Sequence, residues 1–127
     1  MDIQSMIDKA RAHPEARKIG MIASHLGIVR ATSRDGRPVT GIEVQYHHEK
    51  LSSIIQEIKD MPGIIEVLVD TREGALAIGD AILAVVIAGD IREHVFHALI
   101  TAVNRIKAEA SRKKEHNEEQ GNNGKMQ

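Results

Sequence analysis

Two lysines near the end of a predicted helix are the first candidates for chemistry. Apolar side chains recur at spacings of three and four between residues 90 and 114, which predicts a helix with one buried face. Those side chains are Val95, Leu99, Ala102, Val103, Ile106 and Ala110. Lys107 and Lys114 are about two helical turns apart, so a continuous helix would project both from one side. A desolvated lysine can exchange protons and a charged one can stabilise an oxyanion. Lysines near a helix C-terminus are also ordinary solvated cations. The spacing alone leaves both readings open.

The start of this helix also carries a signal. Asp90 followed by Glu93 has the form of a capping box, in which each carboxylate accepts a hydrogen bond from a free backbone amide. The sequence therefore predicts a helix that begins at Asp90 and continues to Lys114.

Histidines are the second candidate group, since the chain contains seven of them. His94 and His97 are three residues apart on the predicted helix, and the pair His47 and His48 precedes another helix. A metal site needs a third ligand and a second shell that orients the imidazoles, and no HExxH-type motif is present. We expect no metal site, and keep a metal-sensing dimer as an alternative.

Composition excludes several classes of function. At 127 residues and 42% hydrophobic, the chain is expected to form a single globular domain. Aromatic residues make up 2% and the net charge is −1, which argues against nucleic acid and anionic membranes as partners. The chain has no cysteine and no apolar run approaching the ~18 residues of a membrane span. The N-terminus does not resemble a signal peptide, so we expect a soluble, cytoplasmic protein.

Hydrophobic periodicity predicts three helices and four strands. A first helix runs from a cap at Asp2 to about His13, ahead of Pro14. Alternation of apolar and polar residues over 18–46, interrupted by the turn signal Asp35-Gly36, predicts a long β-hairpin with an exposed tip from Thr32 to Pro38.

The second half continues the alternation of helices and strands. A second helical stripe over 51–61 precedes a short strand over 64–69 and a buried strand over 80–88. The resulting order is α-β-β-α-β-β-α, an α+β fold with a mostly antiparallel sheet and helices packed on one side. We expect a single domain over 1–114 and a polar, disordered tail over 115–127.

Several segments taken together resemble a known family. Gly27-Ile28-Val29-Arg30, then 36–43, is similar to the Gly-x-Val-Arg strand and tip of the catalytic (large) subunit of molybdopterin synthase, the MoaE-like family. Residues 72–80 resemble the family's Arg-x-Gly-x-Leu-x-x-Gly-Asp/Glu connection, and His13-Pro14-Glu15-Ala16 its lead-in to the first strand. The likeness covers about residues 3–115, with the segments in the family's order.

The resemblance implies an α/β-hammerhead fold, a homodimer and, with its partner, a heterotetramer. The partner would be a small ubiquitin-like sulfur carrier (MoaD-like) ending in Gly-Gly. The implied reaction moves sulfur from the carrier's C-terminal thiocarboxylate to the pterin substrate, cyclic pyranopterin monophosphate (precursor Z), to give molybdopterin. No dissociable cofactor is implied, because the sulfur arrives on the partner.

The same register assigns candidate site residues. It gives Lys107 and Lys114 catalytic roles, and gives Arg30 and Arg92 roles in substrate binding. Arginine suits this role because its planar fork binds phosphate bidentately. A slip of one residue would put Lys113 in the place of Lys114.

Two departures from the family pattern motivate a second reading. Ile91 occupies the position of the family's histidine before Arg92, and 111–114 replaces an aromatic ending. The alternative is therefore a catalytically impaired homodimer of the same fold, acting as a partner-binding or regulatory subunit.

Overall fold

The computed structural model describes residues 1–117 as an α+β fold. The helices are α1 (Ile3–Arg11), α2 (His48–Lys59) and α3 (Arg92–Arg105), with a 3-10 turn at Ala16–Lys18 and a π-helical turn at Ile106–Ala110. The strands are β1 (Met21–Ile28), β2 (Gly41–Tyr46), β3 (Ile64–Thr71), β4 (Gly74–Ala77), β5 (Ala81–Gly89) and β6 (Ser111–His116). The α+β class predicted from the sequence is confirmed.

The first sheet has the order β1-β5-β3 and is antiparallel throughout. Its central strand β5 is buried on both faces, as its continuous apolar sequence predicts. Val85 and Ile87 point into the main core beneath α2 and α3, whereas Val86 and Ala88 point to α1. Helices thus cover both faces of this sheet. The sequence predicted that all helices pack on one side of the sheet. This prediction holds for α2 and α3 and is wrong for α1, which packs on the other side.

The second sheet has the order β4-β2-β6 and is also antiparallel. Its inner side chains Ile42, Val44 and Leu76 join the main core. Two three-stranded sheets therefore replace the single sheet expected from the sequence.

The predicted hairpin over 18–46 is wrong, because β1 pairs with β5 whereas β2 pairs with β4 and β6. The tip between them does close on itself, through a bridge between Thr32 and Pro38 and a positive φ at Gly36. Alternation shows which side chains are buried but does not identify the neighbouring strand. The turn signal at Asp35-Gly36 therefore gave the tip correctly and the pairing incorrectly.

The predicted continuous helix to Lys114 is also wrong. Regular α-helix gives way at Ile106 to a π-helical turn, in which the Ser111 amide donates to the Ile106 carbonyl. The chain then becomes extended and pairs with β2 from Ser111 to His116. Glu115 and His116, expected in the polar tail, belong to this strand, and residues 118–127 of that tail lie outside the described residues.

The helix caps differ in part from those predicted. The Asp2 carboxylate accepts from the Ser5 amide at 3.2 Å, as predicted, and α1 ends at Arg11. The capping box at the start of α3 is wrong, because the N-cap position falls on Ile91 and no side chain caps it. Asp90 instead pairs with His94, with 2.8 Å between Oδ1 and Nδ1. Within residues 1–117, no helix is long and apolar enough to cross a membrane.

Candidate active site

A cavity of about 820 Å³ opens where the end of β1, the tip, β2, β6 and the π-helical turn meet. Its apolar wall includes Val29, Ile42, Val44 and Leu83, each at most 5% exposed. Four basic side chains line the same cavity: Arg30, Arg34, Lys107 and Lys113. The carboxylate there is Glu115, whose Oε2 lies 3.9 Å from Lys113 Nζ. The cavity therefore carries an excess of positive charge and suits an anionic ligand.

Lys107 reaches this cavity from the π-helical turn. Ile106 and Ala110 of that turn are buried in the core, and the Ser111 hydroxyl donates to the Lys107 carbonyl at 3.1 Å. These contacts anchor the backbone on both sides of the lysine. Burial lowers the pKa of Lys107, and the neighbouring charges of Lys113 and Arg34 lower it further. The lysine is therefore more easily deprotonated than a solvated one.

Arg30 follows β1 and lies in the cavity, so the structure brings together two of the four predicted site residues, Arg30 and Lys107. Sequence reasoning missed Arg34, which the tip positions. The Ser33 amide donates to the Arg37 carbonyl at 2.8 Å, and this closed turn holds Arg34 over the opening. Arg34 sits next to the Asp35-Gly36 turn signal, but nothing in that signal distinguishes it from solvated surface.

Lys113, rather than Lys114, points into the cavity. In β6 successive side chains alternate between faces, so Ser111, Lys113 and Glu115 line the cavity. Lys113 pairs with the buried Val44 of β2, whereas Lys114 pairs with the exposed Glu43. Lys114 therefore does not lie with Lys107 in this structure, and Lys113, the residue that a slip of one position would put in its place, lines the cavity instead.

Arg92 lies apart from the cavity within a single chain. It opens α3, its side chain is 78% exposed, and its Nε is 3.2 Å from Glu93 Oε1. Arg92 and Lys107 are at opposite ends of the combined α3 and π-helical segment.

The histidines considered for a metal site have separate structural roles. His47 Nδ1 accepts from the Lys50 amide and caps α2, and His48 lies 2.9 Å from Glu73. His94 pairs with Asp90, whereas His97 lines an open groove on α3. Among residues 1–117, no three histidine or acidic side chains converge as metal ligands. The described residues thus give no support to the metal-sensing alternative.

The fold and the basic cavity define a class of small α+β protein whose positively charged cavity contains a lysine of lowered pKa. The model of the MoaE protein family matches residues 1–109, and the chain belongs to that family. This family is the catalytic subunit of molybdopterin synthase in molybdenum cofactor biosynthesis, so the predicted family and activity are confirmed.

Solved structures give the same result. A MoaE protein from Burkholderia ambifaria MC40-6 is 27% identical, with 90% of this chain and 76% of that chain covered at a TM-score of 0.74. Molybdopterin synthase from Staphylococcus aureus is also 27% identical, covering 80% of this chain and 77% of that one at a TM-score of 0.68.

A third structure shares the fold at 18% identity and a TM-score of 0.67, with 91% of this chain and 78% of that chain covered. It is a complex of subunits 1 and 2 of the molybdopterin-converting factor from Helicobacter pylori 26695. No curated protein matches the chain significantly.

Proposed function

We propose that the cavity around Lys107 is where this chain transfers sulfur from a small carrier's C-terminal thiocarboxylate to cyclic pyranopterin monophosphate. The observation that carries the proposal is the convergence of Arg30, Arg34, Lys107 and Lys113 on one cavity of a MoaE-family fold. The activity class comes from the family, and the assignment to this cavity is ours.

The charges of the cavity suit the two anionic groups of the reaction. The substrate carries a phosphate, and Arg30 and Arg34 offer guanidinium groups that bind phosphate in a bidentate manner. The carrier brings a thiocarboxylate, and Lys113 offers a second positive site on the β6 side.

Lys107 is our candidate for proton transfer and for stabilising negative charge. Its lowered pKa places a larger fraction of the side chain in the neutral, basic form near neutral pH. When protonated it can stabilise the oxyanion that develops as water attacks the carrier's acyl carbon, a step that breaks the bond from this carbon to sulfur, leaves the sulfur on the substrate and releases the carrier as a carboxylate. Lys114, on the opposite face of β6, keeps at most a role in contacting the carrier from outside the cavity.

A homodimer would give Arg92 a place in the reaction. Within one chain Arg92 is far along α3 from the cavity, so a substrate-binding role requires that it reach the cavity of a second copy. The surface next to it supports such a contact. Phe96 and Ile100, one and two turns further along α3, are 56% and 59% exposed and flank an open apolar groove.

The small carrier with a Gly-Gly tail is the partner we propose. Glycine residues at the carrier's end would let an extended tail enter the cavity, because glycine has no side chain to exclude it. We expect the assembly of two copies of each chain to act in the cytoplasm and to need no dissociable cofactor.

Conversion of precursor Z by the purified chain and a thiocarboxylated carrier tests the proposal. A Lys107→Ala variant should lose activity by ~100-fold or more, because proton transfer by a positioned group contributes at least that much. Lys114→Ala is the matched control, because Lys114 lies on β6 outside the cavity, and it should retain most of the activity. Full activity of Lys107→Ala would overturn the assignment of this lysine.

The impaired, regulatory alternative predicts a different result. In that case the wild-type chain would bind the carrier yet convert no precursor Z, and Lys107→Ala would leave carrier binding unchanged.

A further inference from the structure

Ser111 stands where the π-helical turn ends and β6 begins. In an α-helix its amide would donate to the carbonyl of Lys107, four residues back. Here the amide donates to the carbonyl of Ile106, five residues back, and the Ser111 hydroxyl donates to the Lys107 carbonyl at 3.1 Å. The side chain has therefore taken the acceptor that its own backbone would use in a regular helix.

This exchange of donors gives the π-helical turn a physical cause. Serine hydroxyls can donate to the carbonyl four residues back, and they then compete with the hydrogen bonds of the helix backbone. A π-helical bond is rare, so a specific interaction has to favour it here. The hydroxyl supplies that interaction, because it leaves the Lys107 carbonyl paired while the amide of Ser111 reaches back to Ile106.

The pairing of this segment with β2 is the rival cause. The His47 amide donates to the Ala110 carbonyl at 2.8 Å, and Ser111 pairs with Tyr46 of β2. Neither contact uses the Ser111 side chain, so both can persist when the hydroxyl is removed. A substitution at Ser111 therefore separates the two causes in a folded chain.

The turn bears on the cavity because Lys107 lies within it. Hydrogen bonds that run five residues back instead of four change the directions in which the side chains of a turn project. Lys107 and Ser111 line the same cavity, so the hydroxyl acts on the backbone of the residue that reaches into it.

We propose that Ser111 is a positioning residue for Lys107, whose hydroxyl holds the π-helical turn in which Lys107 faces the cavity. The catalytic consequence rests on the proposed function of Lys107, whereas the turn is a property of the folded chain. In this role Ser111 acts through the backbone of Lys107 and makes no contact with the reacting atoms.

The first experiment observes the hydrogen bonds directly, without any enzymatic turnover. NMR couplings across hydrogen bonds, measured on the isotope-labelled full chain, identify the carbonyl to which each amide donates. The wild type should show a coupling from the amide of Ser111 to the carbonyl of Ile106. In Ser111→Ala this coupling should be replaced by one to Lys107, whereas Ser111→Thr, which keeps a hydroxyl, should retain the coupling to Ile106. A coupling to Ile106 that persists in Ser111→Ala would overturn the proposal and assign the turn to the pairing with β2.

The second experiment measures the consequence for the reaction with precursor Z and the thiocarboxylated carrier. Ser111→Ala should lower kcat about tenfold or more with little change in KM, because a small displacement of a reacting group is costly. The inflection that Lys107 gives to the pH profile of kcat should move to higher pH, since a lysine that turns towards solvent loses the burial that lowers its pKa. Ser111→Thr should retain most of the activity. Ser53→Ala, exposed within α2, is the matched control and should behave as the wild type.

The two experiments fail in different ways. Wild-type kcat and pH profile in a Ser111→Ala variant whose couplings have changed would overturn the positioning role. A wild-type chain that converts no precursor Z would overturn the proposed function, and the NMR couplings would still decide whether the hydroxyl holds the turn.

Discussion

At the scale of single residues, burial and the charges around Lys107 explain why this lysine loses its proton more easily than a solvated one. Lys107 shares its cavity with two other cations that lower its pKa, Lys113 and Arg34, in addition to the effect of burial. Under the proposed function, the same cations would attract the substrate's phosphate and the carrier's thiocarboxylate. One arrangement of charge would then both bind the ligands and lower the pKa of the lysine.

This coupling gives a prediction for pH dependence. Removing a neighbouring cation raises the pKa of Lys107, because less repulsion then opposes its charged form. In Lys113→Met, the inflection that Lys107 gives to the pH profile of kcat should therefore move to higher pH. Lys114→Met, outside the cavity, is the control and should leave the inflection in place. A profile of Lys113→Met that overlays the wild type would contradict the electrostatic role of Lys113.

At the scale of elements, the π-helical turn is held by an ion-pair network to α2. Glu109 accepts from Arg105 at 2.8 Å and from Lys50 of α2 at 3.3 Å, and Arg105 also binds Glu57 of α2 at 3.0 Å. The network fixes the turn that carries Lys107 against a helix of the core. The position of Lys107 therefore depends on contacts that lie outside the cavity.

The network also predicts how stability changes in acid. Hydrogen bonding from Arg105 lowers the pKa of Glu109 from its ordinary value of 4.5 to about 2. A depressed pKa in the folded state contributes stability above the unfolded value, and this contribution is lost as pH falls from about 4.5 towards 2. Glu109→Gln should accordingly have a lower Tm than the wild type at pH 7, with the difference shrinking through that acid range. Glu49→Gln, exposed on the first turn of α2, is a matched control and should show a smaller effect at every pH.

At the scale of the whole molecule, the exposed apolar face of α3 bears on assembly. Phe96 and Ile100 are exposed on α3 and line an open groove with His25 of β1, whereas Arg92 projects from the start of the same helix. A contact between two copies through this face would bury the apolar side chains and carry Arg92 towards the other chain. Assembly and completion of the site would then be one event.

A charge placed in this face should separate the copies. We expect Phe96→Glu to shift the chain from dimer to monomer in sedimentation velocity, because a carboxylate would be buried in the contact without a partner. Ile78→Glu alters a hydrophobic residue of similar exposure outside the groove and should leave the dimer intact. A Phe96→Glu variant that still dimerises would exclude this face as the interface.

The sequence predicts which elements are buried better than it predicts which strands pair with each other. The apolar stripe of α3 and the double burial of β5 followed from periodicity, because burial leaves a repeating pattern of side chains. Strand partners did not follow, since a period of two is the same whichever strand lies alongside. β6 was missed because Ser-Arg-Lys-Lys-Glu-His contains no apolar residue, and its pairing with β2 depends on backbone hydrogen bonds.

The candidate site could also be predicted only in part, because contacts between distant segments leave no pattern in the sequence. Arg30 and Lys107 were predicted through family resemblance, and the structure places both in the cavity. Arg34 could not be predicted, because its position depends on how the tip closes over a cavity that forms only in three dimensions. Arg92 was predicted in the same way and lies outside the cavity of its own chain.

The π-helical turn followed directly by β6 decides which changes of length the cavity can absorb. A π-helical turn holds one residue more than an α-helical turn, so it is what a single insertion into a helix produces. Deleting Ala108 would turn the bond from the Ser111 amide to the Ile106 carbonyl into an α-helical one and leave Lys113 in the cavity. Side chains in β6 alternate between faces, so deleting Arg112 would instead bring Lys114 into the cavity in place of Lys113. Adjacent lysines at 113 and 114 would preserve a positive charge there through either change of length.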